Sequence, residues 1–70
     1  MKNRLEEKRL QKGCTQQELA DRVMVSRQTI NSLERGRYNP SITLAFRLAR
    51  QFDVPIEDLF LYSEMEDFDE

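Results

Sequence analysis

The sequence contains no histidine and no tryptophan, one cysteine, and only two glycines and two prolines. Without histidine it lacks the commonest general base and metal ligand, and neither a cysteine cluster nor a glycine-rich phosphate loop is present. The adjacent carboxylates Glu6–Glu7 and Glu57–Asp58 would diverge on a helix instead of converging on a substrate. We therefore expect no enzyme activity, no metal site, no cofactor and no small-molecule ligand.

The sequence also lacks a long hydrophobic run, so a membrane span is not expected. The stretch from Met1 to Glu7 has no apolar segment of the signal-peptide type, and Cys14 has no partner cysteine, which together predict a cytoplasmic protein. A chain of 70 residues makes one small domain that buries roughly 60 % of its unfolded surface. We expect this domain at residues 1–60, followed by an acidic tail at residues 61–70.

The net charge of −2 conceals an uneven distribution along the chain. Residues 61–70 contain five acids and no base, which leaves eleven bases against eight acids, or +3, in residues 1–60. The distribution of charge, more than its total, sets the electric field that a phosphate backbone meets. A mildly basic body with an acidic tail is therefore compatible with nucleic-acid binding.

Caps and breakers predict five short helices and no strands. The first runs from about Asn3 to Lys12 and stops at Gly13; the others begin after the capping residues Thr15, Ser26 and Ser41 and at Pro55. Thr15 and Glu18 form a capping-box pattern, Gly36 ends the third helix, and the last two helices end near residues 52 and 60. The pattern supports an all-α bundle, and Thr15 to Gly36 reads as two helices joined by a tight turn.

The third predicted helix begins with side chains that can read DNA bases. Arginine can pair with the O6 and N7 atoms of guanine, and glutamine with the N6 and N7 atoms of adenine. Arg27 and Gln28 are therefore the leading base-reading candidates, with Asn31 and Ser32 one turn further along. The alternative is that these residues form an ordinary solvated helix end.

Phosphate contacts are expected on both sides of this helix. Gln16 lies at the start of the second helix, where free amides and the helix dipole favour an anion. The other candidates carry hydroxyl, amide or guanidinium groups: Ser26, Thr29, Arg35, Arg37, Tyr38 and Asn39. The last four are predicted to form a basic and polar patch beside the reading helix, although the arginines could also be ordinary surface charges.

Residues 3–60 resemble the Cro/repressor family of phage and bacterial regulators. The resemblance is carried by the segments Thr15–Ala20, Ser26–Gly36 and Asn39–Ser41. It implies a compact five-helix domain of the lambda-repressor-like type that binds operator DNA as a homodimer through its third helix. By similarity, Gln16 would contact phosphate, Arg27, Gln28 and Ser32 would face bases, and Arg9 would pair with Glu34 beneath the motif.

Two positions depart from the family pattern. Met24 occupies a turn position more often held by Gly or Asn, because the backbone there commonly needs a positive φ. This predicts either a strained turn or a different turn geometry. Lys8 replaces an aliphatic residue of the first helix, and its stem could lie along the core with the amine in water.

Two further features have competing interpretations. Cys14 is expected to be a small core residue, with redox sensing as the alternative. The acids of residues 61–70 are most simply a solvated end, yet the segment also contains apolar side chains. We hypothesise that Phe60, Leu61, Tyr62 and nearby residues through Met65 pack at a dimer interface, and that the acids repel non-specific DNA.

Taken together, these patterns predict a sequence-specific regulator that binds double-stranded DNA, with repression from a palindromic operator as the expected mode. The alternative from another class is an antitoxin-type protein-interaction module that binds DNA secondarily. A third interpretation treats the helix-turn-helix purely as a scaffold. Co-purification from the native host tests the second interpretation, which predicts a stoichiometric protein partner held through residues 60–70. Selection from random DNA without an enriched palindrome would support the third.

Overall fold

The computed structural model describes residues 3–37 and 39–60 of the chain. Within these residues the chain forms five α-helices: α1 Leu5–Gln11, α2 Gln16–Val23, α3 Arg27–Glu34, α4 Ile42–Phe52 and α5 Ile56–Leu59. The all-α, five-helix prediction is confirmed. The β-structure in this part of the chain is a single isolated antiparallel bridge between Asn3 and Phe60, and none of these five helices is long and apolar enough to cross a membrane.

The capping box predicted at the start of α2 is present. The Glu18 amide donates to the Thr15 hydroxyl at 3.0 Å, and the Thr15 amide donates to the Glu18 carboxylate at 2.9 Å. The hydrogen bond from the Thr15 backbone, helped by its side chain, lowers the pKa of Glu18. The carboxylate therefore supports α2 fully above its ordinary pKa, and this support is lost as the pH falls through the lowered value.

Hydroxyl side chains also cap α3 and α4, as predicted. Ser26 accepts a hydrogen bond from the Thr29 amide at 3.1 Å, and Ser41 accepts one from the Leu44 amide at 3.1 Å. Each bond satisfies an amide that has no partner within its helix. The beginnings of these two helices are therefore determined locally.

The first and last helices are shorter than the sequence pattern predicts. Asn3 and Arg4 precede α1, because Asn3 pairs with Phe60 and the Arg4 amide donates to the Leu59 carbonyl at 2.8 Å. Pro55 caps α5 instead of lying in its first turn, and Phe60 has extended backbone. The two ends of the domain are thus tied together by backbone pairing that helix periodicity does not encode.

The core lies between the helices and is made mainly of aliphatic side chains. Its fully buried large residues come from all five helices: Leu5, Leu19, Val23, Ile30, Leu33, Leu48 and Leu59. Cys14 and Phe60 are buried in the same cluster, which confirms Cys14 as a core residue. It also corrects the expectation for Phe60, whose side chain is only 6 % exposed and packs within its own domain instead of offering a surface to a second copy.

The turn between α2 and α3 is strained at Met24. Its φ of 63° and ψ of 46° place it in the left-handed region, where a side chain crowds the backbone. Gly13 and Gly36 meet the same requirement, at φ 65° and 69°, without a Cβ. The sequence allowed either a strained turn or a different turn geometry at Met24, and the structure has the strained turn.

A buried ion pair joins α1 to α3, as the family resemblance implies. Arg9 Nε donates to Glu34 Oε2 at 2.6 Å, and Arg9 Nη2 donates to Glu34 Oε1 at 3.2 Å. The hydrogen bond to Glu34 raises the pKa of Arg9, with burial acting in the opposite direction. Arg9 Nη1 also donates to the Cys14 carbonyl at 2.8 Å, so one guanidinium connects α1, α3 and the loop before α2.

The same geometry explains the unusual sequence of α1. Arg9, instead of an aliphatic residue, is buried there, while Lys8 is half-buried and Leu10 is exposed. Leu10 lies on a different face of α1 from the fully buried Leu5, and it is therefore exposed. Helix α1 therefore attaches to the domain through Leu5 and through a buried charge.

Replacing Met24 by glycine should stabilise the domain. Met24 is 71 % exposed, so little packing is lost, and relief of the left-handed strain should exceed the added chain entropy by about 1 kcal/mol. Asp53 has the same conformation at φ 55°, but aspartate tolerates it better, so Asp53→Gly is the matched control with a smaller expected gain. Urea unfolding of the three proteins makes the comparison, and a loss of stability in Met24→Gly would contradict the strain.

Removing the Glu34 carboxylate should destabilise the domain strongly. Glu34→Ala leaves the Arg9 charge buried without its partner, which is expected to cost about 3 to 5 kcal/mol. The exposed Arg4–Glu7 pair, with an N···O distance of 2.8 Å, supplies the control: Glu7→Ala should cost about 0 to 1 kcal/mol. The double variant Arg9→Met, Glu34→Leu should lose less than Glu34→Ala, and equal unfolding free energies for Glu34→Ala and Glu7→Ala would contradict the assignment.

Candidate nucleic-acid interface

Helix α3 has two faces with opposite chemistry. Ile30 and Leu33 are buried against the core, whereas Arg27 and Gln28 are exposed. Helix α2 packs against both α3 and α4, and α1 supports α3 from another side. The apolar face of α3 packs against the core, and its polar face is therefore exposed to solvent.

Four of the predicted base-reading residues lie together. Arg27, Gln28, Asn31 and Ser32 line one polar concavity of about 370 Å³, and Arg37 completes its wall. The Arg37 amide donates to the Ser32 carbonyl at 3.0 Å, which holds the chain after α3 close to the helix. The concavity therefore combines two guanidinium groups, two amides and one hydroxyl.

Asn31 is constrained by a neighbour on its own helix. Arg35 Nε donates to Asn31 Oδ1 at 3.1 Å, one turn away. This bond uses one of the two lone pairs of Oδ1 and leaves the NH₂ group of Asn31, which also lines the concavity, as a donor. Arg35 was predicted as a phosphate ligand, and in the structure its Nε orients a neighbouring amide.

Ser26 and Thr29 are engaged with each other at the start of α3. Their hydroxyl oxygens are 3.0 Å apart, and Ser26 also accepts from the Thr29 amide. Both side chains therefore have a structural role as the cap. Only one hydroxyl hydrogen is used in their mutual bond, so the pair retains a donor for an external oxygen.

Gln16 occupies the first turn of α2 and contacts Glu34. Its Nε2 donates to Glu34 Oε1 at 2.9 Å, the oxygen that also accepts from Arg9 Nη2. A carboxamide has two N–H donors, and this bond uses one of them. The Glu34 side chain is only 3 % exposed, so Gln16 lies above a buried network that joins three helices.

The described residues of the patch predicted after α3 have different neighbours in the structure. Arg37 lies at the concavity, but Asn39 lines a different groove, between α4 and α5. Arg35 contacts Asn31, and Tyr38 lies outside the described residues. Arg37 therefore lies with the base-reading candidates, whereas Asn39 lies at the groove beside α4 and α5.

Sequence reasoning missed two contacts that position α3. The Asn3 side chain donates to the Leu33 carbonyl at 2.7 Å and accepts from the Leu5 amide at 3.0 Å. The other is the bond from Gln16 to Glu34 described above. These pairs are 30 and 18 residues apart in sequence, so no local pattern could have linked them.

Comparisons with known proteins agree with this geometry. A helix-turn-helix family model matches residues 5–59. An uncharacterized HTH-type transcriptional regulator from Archaeoglobus fulgidus is 50 % identical over 66 residues, covering 94 % of this chain and 94 % of the relative. The relative therefore has nearly the same extent as this chain.

Solved structures show the same fold. The restriction-modification controller protein C.AhdI from Aeromonas hydrophila matches with a TM-score of 0.74 and 35 % identity, over 81 % of this chain and 86 % of that one. The N-terminal DNA-binding domain of SinR from Bacillus subtilis matches with a TM-score of 0.74 and 31 % identity, over 87 % and 88 %.

These likenesses favour the regulatory interpretation over the antitoxin-type alternative, and they agree with the expectation that the protein is not an enzyme. The four base-reading candidates share one concavity at α3. The chain therefore belongs to the helix-turn-helix family of DNA-binding transcriptional regulators.

Proposed function

We propose that the protein is a cytoplasmic repressor that binds a palindromic operator as a homodimer and reads its sequence with α3. The observation that carries this proposal is the polar concavity formed by Arg27, Gln28, Asn31, Ser32 and Arg37. Residues 1–60 act as the DNA-binding domain and residues 61–70 as an acidic appendage.

Arg27 and Gln28 read base edges in the major groove. Both are exposed on the first turn of α3. When such a helix lies in the major groove, the residues at its N-terminal end contact base edges. The guanidinium of Arg27 suits guanine, and the carboxamide of Gln28 suits adenine. Asn31 and Ser32, both half-buried, add hydrogen bonds at the adjacent positions.

Phosphate contacts fix the orientation of this helix on DNA. Gln16 has its second amide hydrogen and the start of α2 available to an anionic oxygen. The Ser26–Thr29 pair offers a hydroxyl at the start of α3, and Arg37 supplies a positive charge at the far wall. Arg35, Tyr38 and Asn39 remain proposed phosphate ligands on the basis of the sequence.

Two copies are needed for useful specificity. One α3 helix reads a few base pairs, and a genome offers on the order of 10⁶ or more competing sites. Two α3 helices in successive major grooves, about 34 Å apart, double the number of base pairs read. The symmetry of a homodimer then requires a palindromic operator.

Alanine at Arg27 or Gln28 should weaken specific binding selectively. Each variant is expected to lose about 1 to 3 kcal/mol on the preferred site and little on random DNA, because it removes a base contact. Arg37→Ala should weaken both nearly equally and reduce the slope of log affinity against log salt by about 1. Fluorescence anisotropy over a salt series measures all three variants.

Arg50→Ala is the matched control, since Arg50 is an exposed arginine on α4 and does not line the concavity. It should leave both affinities unchanged. Equal losses on specific and random DNA for Arg27→Ala and Gln28→Ala would mean that these residues do not read bases.

Selection from random duplex DNA tests the operator and the dimer together. We expect a palindrome whose half-site centres are about 10 base pairs apart, one helical turn. Sedimentation of the protein with the selected duplex should give two chains per DNA. Enrichment of an asymmetric single site, bound by one chain, would contradict the homodimer but not DNA binding.

A further inference from the structure

Helices α4 and α5 leave an apolar groove on the side of the domain formed by their outer faces. Ile42 and Phe46, one turn apart on α4, are 76 % and 56 % exposed. Together with Pro40, Ile56 and Phe60 they line a groove of about 430 Å³, which we call the α4–α5 groove. Two large exposed side chains beside a groove of this size indicate a surface that binds something.

We propose that the α4–α5 groove binds residues 61–70 of the same chain. Phe60, the last described residue before this segment, lines the groove itself. A segment of ten residues is about 15 Å long as a helix, close to the length of α4, whose 11 residues form one side of the groove. The segment therefore starts at the groove and is long enough to cover it. This proposal goes beyond the proposed function and does not depend on DNA binding.

The apolar residues of the segment have the spacing that a groove of this kind selects. Leu61, Met65 and Phe68 are separated by four and three residues, which places their side chains on one face of a helical turn pattern. Amphipathic segments dock into apolar grooves through anchors at this spacing. The five acids, with Tyr62 and Ser63, occupy the remaining positions, so docking would bury the three apolar anchors and leave the acids in solvent.

Charge determines how the segment would be oriented in the groove. Arg47 and Arg50 lie beside Phe46 on the outer face of α4. Thr43, nearer to the start of the helix, borders the same surface. The segment has five acids and no base. Glu57 is the charged residue that lines the groove itself, and Asp53 lies near Phe46 on the α5 side. The acids of the segment should therefore turn away from α5, toward Arg47 and Arg50.

Covalent connection makes the same chain a better occupant than a second copy. A short tether gives its end an effective concentration in the millimolar range, far above the concentration of free protein in a dilute sample. A second copy that offered the same residues would have to overcome this advantage. The expected dimer contact through Leu61 and Tyr62 is thereby replaced by an intramolecular one.

Paramagnetic broadening in the full-length chain tests this placement. A spin label is attached to Asp69→Cys, with Cys14 replaced by alanine so that the label has one site. The amide signals of Ile42, Phe46 and Ile56 should be lost in the labelled chain and return when the label is reduced. The Leu10 signal should persist, because Leu10 is an exposed apolar residue outside the groove.

Two comparisons make the result decisive. In the labelled chain, Phe46→Ser should restore the lost signals, whereas Leu10→Ser should leave them lost. In a mixture of spin-labelled chains without ¹⁵N and unlabelled ¹⁵N chains, the groove signals should persist. Signal loss only in the mixture would assign the groove to a second copy, and no selective loss in either sample would show that residues 61–70 do not bind there; both results would overturn the proposal.

Discussion

The buried carboxylate of Glu34 holds the arrangement on which the interface depends. It accepts hydrogen bonds from Arg9 on α1 and from Gln16 on α2, and it is itself the last residue of α3. Helices of seven or eight residues have little stability of their own, so their relative angles depend on such contacts. A buried ion pair adds little net stability compared with apolar packing, but its geometry is demanding, and here it joins α3 to α1.

The network also links binding to folding. Gln16 is a proposed phosphate ligand, and its side chain is oriented by the same oxygen that accepts from Arg9. The end of α3 is held a second time, by the Asn3 side chain on the Leu33 carbonyl. These contacts therefore hold the exposed polar face of α3 in one orientation. Less conformational entropy then has to be lost when the domain meets DNA.

Strain and exposed apolar surface occur away from the core. Met24 accepts a left-handed backbone because the tight turn between α2 and α3 needs one there, and its side chain extends into solvent instead of packing. Ile42 and Phe46 are exposed on α4, beside the groove where α4 meets α5. At both places the side chains are exposed and lie outside the core.

The sequence by itself determined the helices, their hydroxyl caps and the face of α3 that carries Arg27 and Gln28, because capping and helical periodicity act over three to four residues. It also indicated the family and the Arg9–Glu34 pair. Only the tertiary structure decided the shortened α1, the burial of Phe60, the Gln16–Glu34 bond and the different surroundings of Arg37 and Asn39. Each of these depends on residues distant in sequence or on the path of a loop, which local patterns do not encode.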